Sequence, residues 1–107
     1  MMTAALAALA GCAALTQDLD RAEAHYDRAR YEEALVWLDR LERELPRMTL
    51  PDRARFHFLR GMSAHRLGRR GQARHELGLA RELAGAPEVS LGERRERLLR
   101  RALDELS

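Results

Sequence analysis

The side chains able to do chemistry in this chain are few. His25, His57, His65 and His75 are the four histidines, and Cys12 is the single cysteine. His57 and His65 stand eight residues apart, about two helical turns, so a helix would put them on one face. A metal centre needs three or four converging ligands with an ordered layer of partners behind them. No His-x3-His pair is present, and spacing fixes no carboxylate beside either histidine. No metal and no cofactor are therefore expected. Cys12 has no histidine or acid tied to it by a motif, and so lacks the base that activates a nucleophile. Leu67-Gly68-Arg69-Arg70-Gly71 lacks both the lysine and the preceding strand of a phosphate loop, and reads instead as a turn. The expectation is a binding protein and not an enzyme.

Composition bounds what can hold such a surface. The chain has 107 residues, enough for one domain with one modest core. Apolar residues make up 46% but aromatics only 5%, so Leu and Ala must build that core. Both are strong helix formers. All 19 basic residues are Arg, with no Lys, Asn or Ile, which reads as the codon bias of a GC-rich bacterial genome. Net charge is only +2. Arg94, Arg95, Arg97, Arg100 and Arg101 interleave with Glu93, Glu96, Asp104 and Glu105, the pattern of a solvated helix face with ion pairs along it. A nucleic-acid binder would show a one-sided basic stripe, so no nucleic acid is expected.

Self-similarity decides the architecture. Shifted by 39 residues, Ala22 falls on Gly61, Ala29 on Gly68, Ala34 on Ala73, Leu38 on Leu77 and Leu41 on Ala80. A repeat of this length marks stacked helical hairpins, which cannot bury their apolar faces singly. Helix boundaries follow from caps and breakers. A first helix is expected over 18–28, with Asp18 or Asp20 as its cap, and a second over 31–45, stopped by Pro46. Thr49 and Asp52 cap a third over 50–67, closed by Gly68. A fourth spans 70–84. Ser90 and Glu93 form a capping box for a fifth over 91–106, whose Leu98, Leu99, Ala102, Leu103 and Leu106 make one apolar side.

The second hairpin, Gly61 to Ala80, resembles the tetratricopeptide repeat in its small residues at Gly61, Gly68, Ala73 and Ala80. The first fits with Ala22, Ala29, Tyr31, Ala34, Leu38, Leu41 and Pro46. Where that family has a large aromatic early in each first helix, this chain has Asp18 and His57; where it has Leu, the chain has Arg21 and Arg60. The resemblance covers roughly 18–85. It implies an all-α, tetratricopeptide-like array of two antiparallel hairpins plus a C-terminal capping helix, working as a non-catalytic protein–protein interaction module. It also implies that first helices line a concave groove. By position that groove receives Leu19, Glu23, Tyr26 and Asp27 from repeat one, and Arg55, Phe58, Met62, His65 and Arg66 from repeat two. A Phe and a Met beside arginines suit a peptide with apolar anchors and a carboxylate. The alternative for Phe58 and Met62 is burial beneath helix one or five.

Leu9-Ala10-Gly11-Cys12, behind the apolar run Ala4 to Ala10, resembles the lipobox of bacterial lipoproteins. The resemblance implies a signal peptide over 1–11, lipidation of Cys12, a linker over 12–17 and the helical domain over 18–106. The membrane partner is then reached through a lipid anchor in the cell envelope, at the outer membrane facing the periplasm. The alternative is an Ala/Leu-rich first helix with a buried cysteine, in a soluble cytoplasmic adaptor.

Overall fold

The computed structural model describes residues 2–107, with side chains from Ala13 onward. Its elements are α1 (Met2–Asp27), α2 (Tyr31–Leu41), a 3-10 segment (Glu42–Arg47), α3 (Leu50–Arg66), α4 (Arg70–Ala84) and α5 (Glu93–Leu106). The side chain of Cys12 lies outside the described residues. The architecture is an all-α array of two helical hairpins, α1–α2 and α3–α4, followed by α5 packed on α3 and α4.

The 39-residue shift is a geometric fact. α2 opens at Tyr31 and α4 at Arg70. The turns before them are superposable in their hydrogen bonds. Arg30 N donates to His25 O at 2.8 Å and Arg69 N to Ala64 O at 2.9 Å. Ala29 N donates to Tyr26 O at 2.9 Å and Gly68 N to His65 O at 3.1 Å. Both are Schellman closures, which need a left-handed residue after the helix. Gly68 holds φ +76° at no steric cost, but Ala29 holds φ +59° with a side chain attached. Ala29→Gly should therefore raise stability by about 0.5–1 kcal/mol, and Gly68→Ala should lower it by a similar amount. Urea midpoints of the two variants would move in opposite directions. Equal midpoints would show that this backbone conformation carries no strain.

Three boundaries differ from expectation. α1 runs unbroken through 13–17, where a linker was expected, because nothing between Ala13 and Asp27 is a glycine or proline. Asp18 and Asp20 thus sit mid-helix and cap nothing. α2 ends at Leu41, short of the expected Leu45. Pro46 lacks the N–H that would bond Glu42, and its ring would meet that carbonyl, so the chain tightens into a 3-10 turn. α5 starts at Glu93, with Gly92 before it and no side-chain cap, so the Ser90 capping box does not form. Val89 and Leu91 are buried on either side of exposed Ser90. Burying two such side chains outweighs a cap worth about 1 kcal/mol. Thr49 does cap α3, accepting from Asp52 N at 3.3 Å.

The small repeat residues sit where helices touch. Ala22, Ala34, Ala73 and Ala80 are fully buried, as are Leu38 and Leu77. A Cβ on Gly61 would lie 2.6 Å from both Cγ and Cδ2 of Leu77.

Candidate functional site

α1, α3 and α5 share one side of the array, and a cleft of about 410 Å³ opens there. Glu23, Tyr26 and Asp27 of α1 form one wall. Leu91, Gly92 and α5 residues Glu93, Arg94, Arg95 and Leu98 form the other, and Phe58 of α3 lies between them. Phe58 is only 1% exposed, and Tyr26 meets its ring edge-on with centroids 6.5 Å apart. Tyr31 closes on the other side of Tyr26 at 5.7 Å. Burial raises the Tyr26 hydroxyl pKa, and the nearby Arg66 guanidinium only partly opposes that.

Ion pairs tie the walls together. Glu23 accepts from Arg95 of α5 at 2.7 and 3.0 Å. It also accepts from Arg55 of α3 at 2.7 and 3.1 Å, and Arg55 reaches Asp20 at 2.6 Å. Burial opposes ionisation of Glu23, but the hydrogen bonds from Arg95 and Arg55 outweigh it and hold the carboxyl below its ordinary range. Arg94, Arg66 and Asp27, by contrast, have no ion pair among the described residues. No side chain caps α5, so the positive end of its dipole also lies at this cleft.

A second hollow of about 100 Å³ adjoins the cleft, lined by Met62, His65, Arg66, Leu98, Arg101, Ala102 and Glu105. Leu98 lines both. His65 is held by Glu105 of α5 at 2.7 Å. Tyr26 and Phe58 are thus brought to the cleft, and Met62, His65 and Arg66 to the hollow beside it. Four groove assignments are corrected. Leu19 is fully buried and faces the core. Arg55 is engaged by Glu23 and Asp20, so its guanidinium is not open to a ligand carboxylate. Phe58 and Met62 are each 1% exposed and pack as floor, not as projecting anchors.

Sequence reading missed the wall that α5 provides, placing Arg94 on a solvated face. A signal was present: α5 follows α4 as α3 follows α2, so a continued array brings it to the same side as α1 and α3.

On the opposite side of α3 lies a partly buried polar cluster. His57 Nδ1 donates to Glu76 at 2.6 Å. Arg60 reaches Glu76 at 3.3 Å, Asp39 at 2.9 Å and Glu42 at 3.4 Å. Glu76 is buried and His57 partly so, and the carboxylate between two nitrogen groups is a fastener of α3 to α4. Among the described residues no group of three or more His, Cys, Asp or Glu side chains is placed to hold a metal ion. No helix among them is long and apolar enough to cross a membrane.

Compared with known proteins, the chain matches no family model, no curated protein and no solved structure.

Proposed function

We propose that this chain is a non-catalytic interaction module of the tetratricopeptide kind, and that it holds an extended segment of a partner protein in the cleft between α1 and α5. The observation that carries the reading is the cleft itself. It has an apolar floor and side at Phe58, Leu91 and Leu98, an exposed Arg94 on its wall and an exposed Arg66 in the adjoining hollow, neither of them engaged by a carboxylate among the described residues. The chemistry that fits is a segment with one apolar anchor and a carboxylate beside it. The hairpin repeat and its small residues at the helix contacts support the tetratricopeptide assignment.

Site-specific photocrosslinking in the cell tests this. A crosslinker at Asp27 or Arg94, both exposed at the cleft, is expected to trap one discrete partner. A crosslinker at Arg81 or Arg100, exposed elsewhere, is expected to trap none. Equal adducts at Arg81 would contradict the cleft reading.

The same proposal anchors the module by a lipid on Cys12, in the envelope, with the outer membrane as its site. Leu9-Ala10-Gly11-Cys12 supports it. Cys12→Ser should then lose both acyl label and processing. A mature chain that retains Met1 and an unmodified Cys12 would rule out the anchor.

A further inference from the structure

The exposed face of α2 carries opposite charges at its two ends. Glu32 and Glu33 stand exposed in its first turn and Arg40 in its last. Between them is Val36, at 50% the one large apolar side chain exposed among the described residues. Spacings of four put Glu32, Val36 and Arg40 on one stripe, with Glu33 beside it. The other carboxylates nearby are engaged within the chain, Asp39 by Arg60 and Glu44 by Arg47. Glu33 has no ion pair among the described residues, and Glu32 reaches only the exposed Arg69, at 4.0 Å. Arg40 lies against the Trp37 ring, 5.6 Å from its centroid, and meets no carboxylate among the described residues. Acid first and base last suits a helix dipole, but the hairpin does not demand it. α4, the equivalent helix of the second hairpin, has no acid in its first turn. The 39-residue shift puts Gly71, Gln72, His75 and Leu79 where α2 has Glu32, Glu33, Val36 and Arg40.

We infer that this face of α2 pairs with the same face of a second copy of the chain, the two helices antiparallel about a two-fold axis at Val36. A two-fold contact requires one surface to complement itself. When the two Val36 side chains touch, each residue lies level with the one equally far from Val36 in the other direction on the copy. Arg40 is about 6 Å along the helix from Val36, and Glu32 about 6 Å the opposite way. Each Arg40 therefore stands opposite Glu32 of the copy, with Glu33 one residue nearer the axis. Charges segregated along one helix become matched pairs across two, and Val36 loses its exposure. Arg43, in the 3-10 segment, falls opposite Ala29, which carries no charge. One pair of short helices makes a small interface, so the association is weak and reversible. The cleft is lined by α1, α3, α5 and the residues just before α5, with nothing from α2, so pairing covers none of its lining. The inference is independent of what occupies the cleft.

Sedimentation velocity on the full chain tests this, with charge exchange as the decisive arm. Every preparation carries Cys12→Ser, so that neither a disulfide nor an acyl chain joins copies; Cys12 is the only cysteine. The chain with α2 unchanged should pass from monomer toward dimer between about 1 μM and about 1 mM. Arg40→Glu sets like charges opposite one another in a self-pair, and so does Glu32→Arg/Glu33→Arg. Each should weaken self-association roughly tenfold or more. All three positions are exposed, so the far-ultraviolet dichroism of both variants should match that of the unchanged α2. Mixed in equal amounts, the two variants should form a heterodimer as strong as the original pair, because every contact is again between opposite charges. A chain that stays monomeric throughout this range overturns the inference. So does a dimer that survives both variants, or a mixture that associates no better than its parts.

Discussion

Gly61→Ala is expected to destabilise the fold, although alanine is the better helix former by about 1 kcal/mol. The added Cβ would stand 2.6 Å from Leu77 Cγ and Cδ2 and 3.0 Å from the Leu77 backbone nitrogen. Leu77 is fully buried and cannot swing away. Relief must come from separating α3 from α4, the most closely packed pair in the molecule. Overpacking of this kind costs roughly 1–3 kcal/mol for the first methyl, and Gly61→Leu should exceed that. Leu77→Ala alone opens a cavity and should cost about 2–5 kcal/mol. Combined with Gly61→Ala it should cost less than the sum, because each change relieves the other. Urea denaturation gives all three values. Additive losses would mean that Gly61 and Leu77 do not touch.

The second large effect concerns Glu23. It is the only carboxylate among the described residues that joins α1, α3 and α5, through Arg55 and Arg95. Glu23→Gln keeps the shape and removes the charge. The expected loss is about 2 kcal/mol, the lower part of the range for hydrogen bonds to charged groups, because Arg95 is partly solvated. Acid should mimic the substitution. The folded-state pKa of Glu23 lies below its ordinary value, so its contribution is complete above that value, roughly pH 4, and fades as pH falls through the folded one. The stability difference between wild type and Glu23→Gln should therefore shrink below about pH 4 and be constant above it. A difference that grew on acidification would reverse the assigned sign.

Much of the array was legible because small residues report where helices touch. Ala22 and Gly61, Ala34 and Ala73 mark the same two contacts in each hairpin, and α4 runs over the residues its spacing predicts. Caps were a weaker guide. Thr49 works as a cap because nothing competes for its hydroxyl, whereas Ser90 is turned outward so that Val89 and Leu91 can be buried. The polar cluster was hidden altogether. His57 and Arg60 stand where the tetratricopeptide pattern has an aromatic and a leucine, and alone they read as misfits. Their partner Glu76 is 19 and 16 residues away on α4, respectively, a pairing that only the packed hairpin creates. Arg55 misled for the same reason: from spacing it looks free, but Glu23 and Asp20 claim it across 32 and 35 residues.

The claim that the cleft between α1 and α5 holds a carboxylate-bearing segment is tested most directly by calorimetry. The segment trapped by crosslinking is titrated into wild type, Arg94→Glu, Arg66→Glu and Arg100→Glu, at low and at physiological salt. Losing a charge-assisted contact should weaken binding by tenfold or more in Arg94→Glu, and by a similar order in Arg66→Glu. Both variants should also bind better, not worse, as salt rises, since attraction has become repulsion. Arg100→Glu, exposed away from the cleft, should match wild type. Undiminished affinity in Arg94→Glu and Arg66→Glu, with loss in Arg100→Glu, would place the binding surface on the outer face of α5 and contradict the account.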